Sequence, residues 1–162
     1  MLTQTKTTLL DFYDSYDQWK EEREALQERL RGLCRYMRLK PDRDKPNAWS
    51  ELHLELREQF LAFMKDWQRY IRLERSVIYP VAARQGGTGQ NGAASVLKED
   101  DRLAAEFYEA YLSGCREGAT DEEALDRMFQ SLMIIAEHLR IEDETVVPQT
   151  ERLMDEIAYN GS

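Results

Sequence analysis

The sequence is poor in cysteine and in long apolar runs, and each of these two shortages excludes a class of protein. Two cysteines among 162 residues are too few for a disulfide-stapled secreted domain, and Cys34 and Cys115 lack the spacing of a zinc site. No apolar stretch approaches the roughly 20 residues that cross a bilayer. The first residues are too polar for a secretion signal. We therefore expect a cytoplasmic protein with two free thiols and no membrane partner.

Acidic residues outnumber basic ones, and the formal net charge is -9. A surface of this sign repels nucleic acid and anionic membranes, so we expect neither as a direct partner. The same charge suits a cation or a basic protein. The content of 33% charged and 42% hydrophobic residues is typical of a globular chain. We expect one domain over residues 1–162, large enough to bury a core.

Apolar residues recur at alternating three- and four-residue spacing in four segments, which predicts four helices and no strand. The first two helices form a hairpin over residues 8–84, with Asn47 as the N-cap of the second. A glycine-rich linker covers residues 85–94. The third and fourth helices form a second hairpin over residues 95–158, with Ser95 as a cap of the third.

Two sequence features set the ends of these helices. Thr120 and Glu123 form a capping box at the start of the fourth helix. Pro80 and Pro148 fall late in the second and fourth helices, which they should kink or end. Long helices with short connections pack as bundles. The predicted fold is therefore all-α, an antiparallel up-down-up-down four-helix bundle.

One phrase occurs twice in the chain, 68 positions apart. Residues 73–80 read LERSVIYP, and residues 141–148 read IEDETVVP. Each copy has a glutamate, a three-residue gap, two large apolar or aromatic residues and a proline. The repeat predicts two hairpins of similar design that place Glu74 and Glu142 at matching points.

Charged residues interrupt the apolar stripe of each helix, namely Arg23, Glu74, Asp100 and Glu142. Unpaired buried charges are costly, so these groups should compensate one another or hold a cation. One interpretation is an internal ion-pair layer in which Arg23 neutralises the acids. The other is a metal site, because His138 lies one turn before Glu142 on the same helix face. The direction of the Arg23 side chain separates the two. The remaining histidine, His53, is expected to be solvated.

The paired phrases resemble the hemerythrin-like (HHE) domain family. That family carries His-x-x-x-Glu, followed six residues later by proline, in its second and fourth helices. The run from His138 to Glu142, followed by Pro148, matches the fourth helix. The run from Tyr70 to Glu74 matches the second, with tyrosine in place of histidine. The resemblance covers nearly the whole chain in helix layout.

The resemblance also implies which ligands survive. The histidines of the first and third helices would fall near Glu22 and Asp101, so oxygen carriage by a histidine-rich di-iron centre would be lost. The remaining set would suit iron or manganese better than a soft metal. It comprises Glu22, Glu74, Asp101, His138 and Glu142. Our leading expectation is a non-catalytic cytoplasmic regulatory protein with no bound cofactor. The alternative is a sensor or oxidase-like iron or manganese centre.

A second resemblance points to a protein partner. The run Asp17-Gln-Trp19, followed by Arg23, is similar to the first-helix signature of the Rsd/AlgQ family of anti-sigma factors. That resemblance implies sequestration of the primary sigma factor of RNA polymerase, whose basic domain suits an acidic protein. The motif of that family in the second helix is preserved here only in part. The partner-binding surface that it implies consists of Asp66, Trp67 and Leu73.

Overall fold

The computed structural model of the protein describes residues 9–38, 47–81 and 91–160. These residues form four long helices and a shorter fifth, and no strand occurs within these ranges. The predicted all-α bundle is confirmed. The helices are α1 Leu9–Arg38, α2 Ala48–Leu73, α3 Asn91–Arg116, α4 Asp121–Glu144 and α5 Val146–Asn160.

Contacts between helices establish the antiparallel order of the first hairpin. Glu22 in the middle of α1 pairs with Arg69 near the end of α2, at 3.7 Å. Tyr36 near the end of α1 donates a hydrogen bond to Glu55 near the start of α2, at 2.7 Å. The second hairpin is also antiparallel. The side chain of Arg127 donates to the carbonyl of Ala110, and the side chain of Ser131, further along α4, donates to the carbonyl of Ala104, earlier in α3.

A single hydrophobic core receives side chains from all five helices. This core is what the apolar stripes of the sequence predict, because each stripe faces the bundle interior. The extent of the domain, residues 1–162, stays a prediction. Among the described residues, no helix has both the length and the apolarity that crossing a bilayer requires.

The ends of the helices differ in part from the prediction. Thr120 caps α4 as expected and accepts a hydrogen bond from the backbone N–H of Glu123 at 3.1 Å. Asn47 precedes α2 as expected, but with φ 68° and without a side-chain cap bond. The helix α3 begins at Asn91, so residues 91–94 are helical and the assignment of Ser95 as its cap was wrong. Residues 85–90 of the predicted linker lie outside the described residues.

The fourth helix is divided before Pro148. Thr145 leaves the helical region with φ -122° and ψ -65°, and the chain resumes at once as α5. Pro148 then occupies the first turn of α5, where its missing N–H has no intrahelical partner to lose. The predicted interruption at this proline is therefore confirmed, a few residues earlier than the proline itself.

The second helix passes through a π-helical turn, Glu74–Ile78, before Pro80. The backbone N–H of Tyr79 donates to the carbonyl of Glu74, five residues earlier. In an α-helix, residues five apart point about 140° away from each other, whereas a π-turn brings them close to one face. The turn therefore carries the side chain of Tyr79 towards the side of Glu74.

Candidate metal centre

Three possible metal ligands meet inside the bundle. Glu74 comes from the end of α2, and His138 and Glu142 share one face of α4. The ring nitrogen Nε2 of His138 lies 3.8 Å from Oε1 of Glu74 and 3.5 Å from Oε2 of Glu142. One ligand atom from each residue lies within 4.8 Å of the others. All three side chains are buried.

Several polar atoms of this cluster have no hydrogen-bond partner. Both carboxyl oxygens of Glu74 are buried and unsatisfied, and so is Nδ1 of His138. A buried carboxylate without partners is unfavourable, so such groups are normally paired or coordinate a metal. The donor set of one imidazole and two carboxylates, with these unsatisfied oxygens, therefore fits a bound cation.

The ionisable groups of the cluster have strongly shifted pKa values. Burial raises the pKa of Glu74 well above its ordinary value, and the charge of Glu142 raises it further. Burial lowers the pKa of His138, but the neighbouring carboxylates of Glu142 and Glu74 outweigh this effect and raise that pKa to about 10. Burial opposes ionisation of Glu142, yet contacts with Glu74, His138 and Tyr79 lower its pKa to about 2. When no cation is present, burial and the charge of Glu142 therefore disfavour the ionised form of Glu74.

Two tyrosine hydroxyls hold the carboxylate of Glu142. Tyr70 donates to Oε1 at 3.0 Å, and Tyr79 donates to Oε2 at 2.6 Å. The hydroxyl of Tyr79 also lies 3.3 Å from Nε2 of His138. The ring of Trp67 packs edge-on against the imidazole, with centroids 5.1 Å apart. Tyr79 was not among the predicted site residues, although it lies within the first copy of the repeated phrase.

Arg23 lies inside the bundle but is directed mainly at the α4 backbone and at one surface acid. Its guanidinium donates to the carbonyl of Leu139 at 2.7 Å and pairs with Asp143 at 2.8 Å. Its Nε lies 3.7 Å from Oε1 of Glu142 and has no hydrogen-bond partner. No ion pair joins Arg23 to Glu74 among the described contacts. The arginine therefore compensates part of the negative charge of Glu142, and the cation nearest to Glu74 is His138.

The structure does not bring the other predicted ligands into the cluster. Glu22 is partly exposed and pairs with Arg69. Asp101 is buried but forms a hydrogen bond with Arg75. Asp100, assigned to the ion-pair layer, has one buried oxygen without a partner, and burial raises its pKa. The convergent set is thus Glu74, His138 and Glu142.

The residues proposed to bind a protein partner occupy different environments. Asp66 pairs with Arg29 at 2.6 Å and with Arg69 at 3.3 Å. Trp67 is only 3% exposed, and Leu73 is partly buried against the core. Of the three, Asp66 has the most accessible polar atoms.

The expectation that His53 is solvated was wrong. Its side chain is only 12% exposed, and its ring nitrogens lie 2.7 Å from Asp121 and 2.7 Å from the hydroxyl of Tyr111. These contacts join α2 to the start of α4 and to α3. His53 lies far along the bundle from the cluster and has a structural role.

Comparison with known families agrees with this arrangement. The model of the hemerythrin HHE cation-binding domain matches residues 14–150, which is most of the chain and includes all three clustered ligands. No curated protein and no solved structure matches the chain significantly. The chain belongs to the hemerythrin HHE cation-binding domain family.

Proposed function

We propose that this protein binds a single iron or manganese cation between Glu74, His138 and Glu142, and that it has a regulatory rather than a catalytic role. The observation that carries the proposal is the pair of unsatisfied, fully buried carboxyl oxygens of Glu74. Two carboxylates and one imidazole suit these borderline-hard divalent ions better than a soft metal. A bound cation would supply the positive charge that the two carboxylates lack.

The number of available ligands supports one ion instead of two. Di-metal centres in helix bundles use carboxylates and histidines from all four helices. Here the candidates on α1 and α3 already have cationic partners, because Glu22 pairs with Arg69 and Asp101 binds Arg75. The ligands that remain come from α2 and α4 alone.

Burial supports a binding role over turnover. The three ligand side chains are at most 1% exposed, so a substrate would have to enter the bundle to reach them. Neither of two surface pockets, of about 650 and 360 Å³, is lined by any of the three ligands. A closed site of this kind is suited to metal-dependent control of stability or shape. Cys34 and Cys115 form no disulfide, which favours a cytoplasmic setting.

Metal analysis tests the proposed site directly. Protein purified without chelator and incubated with Fe(II) or Mn(II) under anaerobic conditions should retain about one equivalent per chain. Glu74→Gln should lose that equivalent, because an amide oxygen is a weaker, neutral ligand. The matched control is Glu144→Gln on the exposed face of α4, which should load like the parent protein. Full loading of Glu74→Gln, or no loading of the parent protein, would refute the site.

We propose separately that this protein binds a basic protein partner, and the primary sigma factor is the specific candidate. It is supported by the net charge of -9 and by the position of Asp66, whose side chain is about one third exposed. The protein should co-purify with the primary sigma factor at low salt, and Asp66→Ala should weaken the complex. Glu58→Ala, an exposed acid elsewhere on α2, is the control. Absence of a complex at micromolar concentration and low salt would remove this candidate.

A further inference from the structure

We infer that the phenol oxygen of Tyr79 is a fourth ligand of the cation site, in addition to Glu74, His138 and Glu142. This inference rests on the proposed function, because it concerns the same cation. It adds an anionic oxygen donor that the resemblance to the family does not assign. It also narrows the range of ions that the site should prefer.

The position of the hydroxyl is the first argument. The Tyr79 oxygen lies 2.6 Å from Oε2 of Glu142 and 3.3 Å from Nε2 of His138. These two atoms lie 3.5 Å apart and are the ones that His138 and Glu142 would offer to the ion in the proposed site. Ligand atoms in a tetrahedral shell with bonds of about 2.0–2.1 Å lie about 3.3–3.4 Å apart. The spacings of 3.3, 3.5 and 3.8 Å around Nε2 of His138 equal or slightly exceed that value. The 2.6 Å contact between Tyr79 and Glu142 is shorter because it is a hydrogen bond, which is lost when the phenol proton leaves.

The backbone is the second argument. A regular α-helix would point Tyr79 about 140° away from Glu74, and the π-turn Glu74–Ile78 removes that difference. π-Turns within helices occur frequently at functional sites. Here the turn has a specific result, because it brings a hydroxyl to the ligand atoms of α4.

Tyr70 provides an internal comparison. Its hydroxyl also donates to Glu142, but to the other oxygen, Oε1, at 3.0 Å. No described hydrogen bond joins Tyr70 to His138. Oε1 is also the oxygen nearest to Arg23. Tyr70 and Arg23 therefore lie on the Oε1 side of Glu142, while Tyr79 lies on the Oε2 side, next to the imidazole.

The charge of the donor set indicates the ion. When Tyr79 binds as a ligand, the O–H proton leaves to solvent and the oxygen forms a bond to the ion, with no change of oxidation state. Two carboxylates and a phenolate then carry three negative charges. A trivalent ion neutralises them fully, so ferric iron should bind more tightly than a divalent ion of similar size.

Ferric iron supplied as its citrate complex is the probe. The iron-loaded protein should show a visible charge-transfer band, and resonance Raman excitation in that band should show tyrosinate ring vibrations. Tyr79→Phe should lose the band and bind iron about tenfold more weakly or worse. Tyr70→Phe should keep the band, since its hydroxyl is not a donor to the ion. Circular dichroism of both variants checks that the bundle is intact.

The outcomes separate this inference from the proposed function. Iron binding without tyrosinate vibrations in the parent protein would overturn the role of Tyr79 and leave the three-ligand site in place. Equal affinity of Tyr79→Phe and the parent protein would do the same. Failure of the parent protein to bind any of the three ions would overturn both. The Raman measurement uses the unaltered protein, so it does not depend on the folding of any variant.

Discussion

Replacing Arg23 with methionine is expected to lower the free energy of unfolding by about 3–5 kcal/mol, the cost of removing one partner from a buried ion pair. Arg23 is 5% exposed, and its guanidinium contacts the carboxylate of Asp143, the carbonyl of Leu139 and, less closely, Glu142. Methionine fills a similar volume but leaves the carbonyl of Leu139 without its donor and removes one cation from beside the buried carboxylate of Glu142. Urea denaturation of the metal-free protein measures the change.

The matched control is Arg29→Met, six residues further along α1. Arg29 also pairs with an acid of another element, Asp66, but both side chains are about one third exposed. Pairs of that kind contribute about 0–1 kcal/mol. Equal losses in the two variants would mean that the buried position of Arg23 has no special cost. The interpretation of Arg23 as the compensating charge of Glu142 would then be wrong.

The bundle and half of the site could be predicted from the sequence for a simple reason. Both depend on spacing within a single helix. His138 and Glu142 are four residues apart, so any α-helix places them on one face. Glu74 could be paired with Glu142 because its phrase is repeated. A break in an apolar stripe predicts burial, and Arg23, Glu74 and Glu142 are indeed buried.

The other predicted ligands depended on contacts between helices, which a single sequence does not encode. Glu22 is one position before Arg23, about 100° around α1, and this places it towards Arg69 of α2. Asp101 is buried, but its carboxylate accepts a hydrogen bond from Arg75, in the turn after α2, instead of joining the cluster. Whether an acid meets a cation or a ligand cluster is decided by the register of the packed helices.

Tyr79 could not be assigned to the site from the sequence, because the sequence predicts a regular α-helix at this point. With 3.6 residues per turn, Tyr79 lies away from Glu74, and the π-turn reverses that placement. Pro80 was the available signal, since a proline late in a helix removes a backbone donor and disturbs the hydrogen-bond ladder. The sequence could indicate the disturbance but not which side chain it would turn inwards.

Glu74→Gln is expected to stabilise the metal-free protein by about 1–3 kcal/mol at pH 7, the usual cost of an unsatisfied buried polar group. Glu74 is fully buried, and neither of its oxygens has a hydrogen-bond partner. The amide of glutamine is uncharged at every pH, and its NH₂ can donate to the ionised Glu142 beside it. The same change should abolish cation binding. Stability and function would then respond to one substitution in opposite directions.

The pH dependence of this gain identifies its cause. The folded-state pKa of Glu74 lies above the ordinary value of 4.5. The folded protein therefore holds an extra proton between those two pH values, and its stability falls as the pH rises through that window. Glutamine does not titrate, so the stability of the variant does not show this fall with rising pH. The advantage of Glu74→Gln should be largest at neutral pH and should nearly vanish at about pH 4.

Thermal or urea unfolding of the chelator-treated protein at several pH values between 4 and 8 measures this difference. His138 retains Glu142 as its partner in the variant, so the imidazole stays paired when the carboxyl group of Glu74 is replaced. Glu144→Gln, which removes an exposed acid from α4, should change stability by no more than about 0.5 kcal/mol at any of these pH values. If Glu74→Gln instead destabilises the metal-free protein at pH 7, the carboxylate is compensated without a cation. The main physical reason for assigning a metal to this bundle would then be lost.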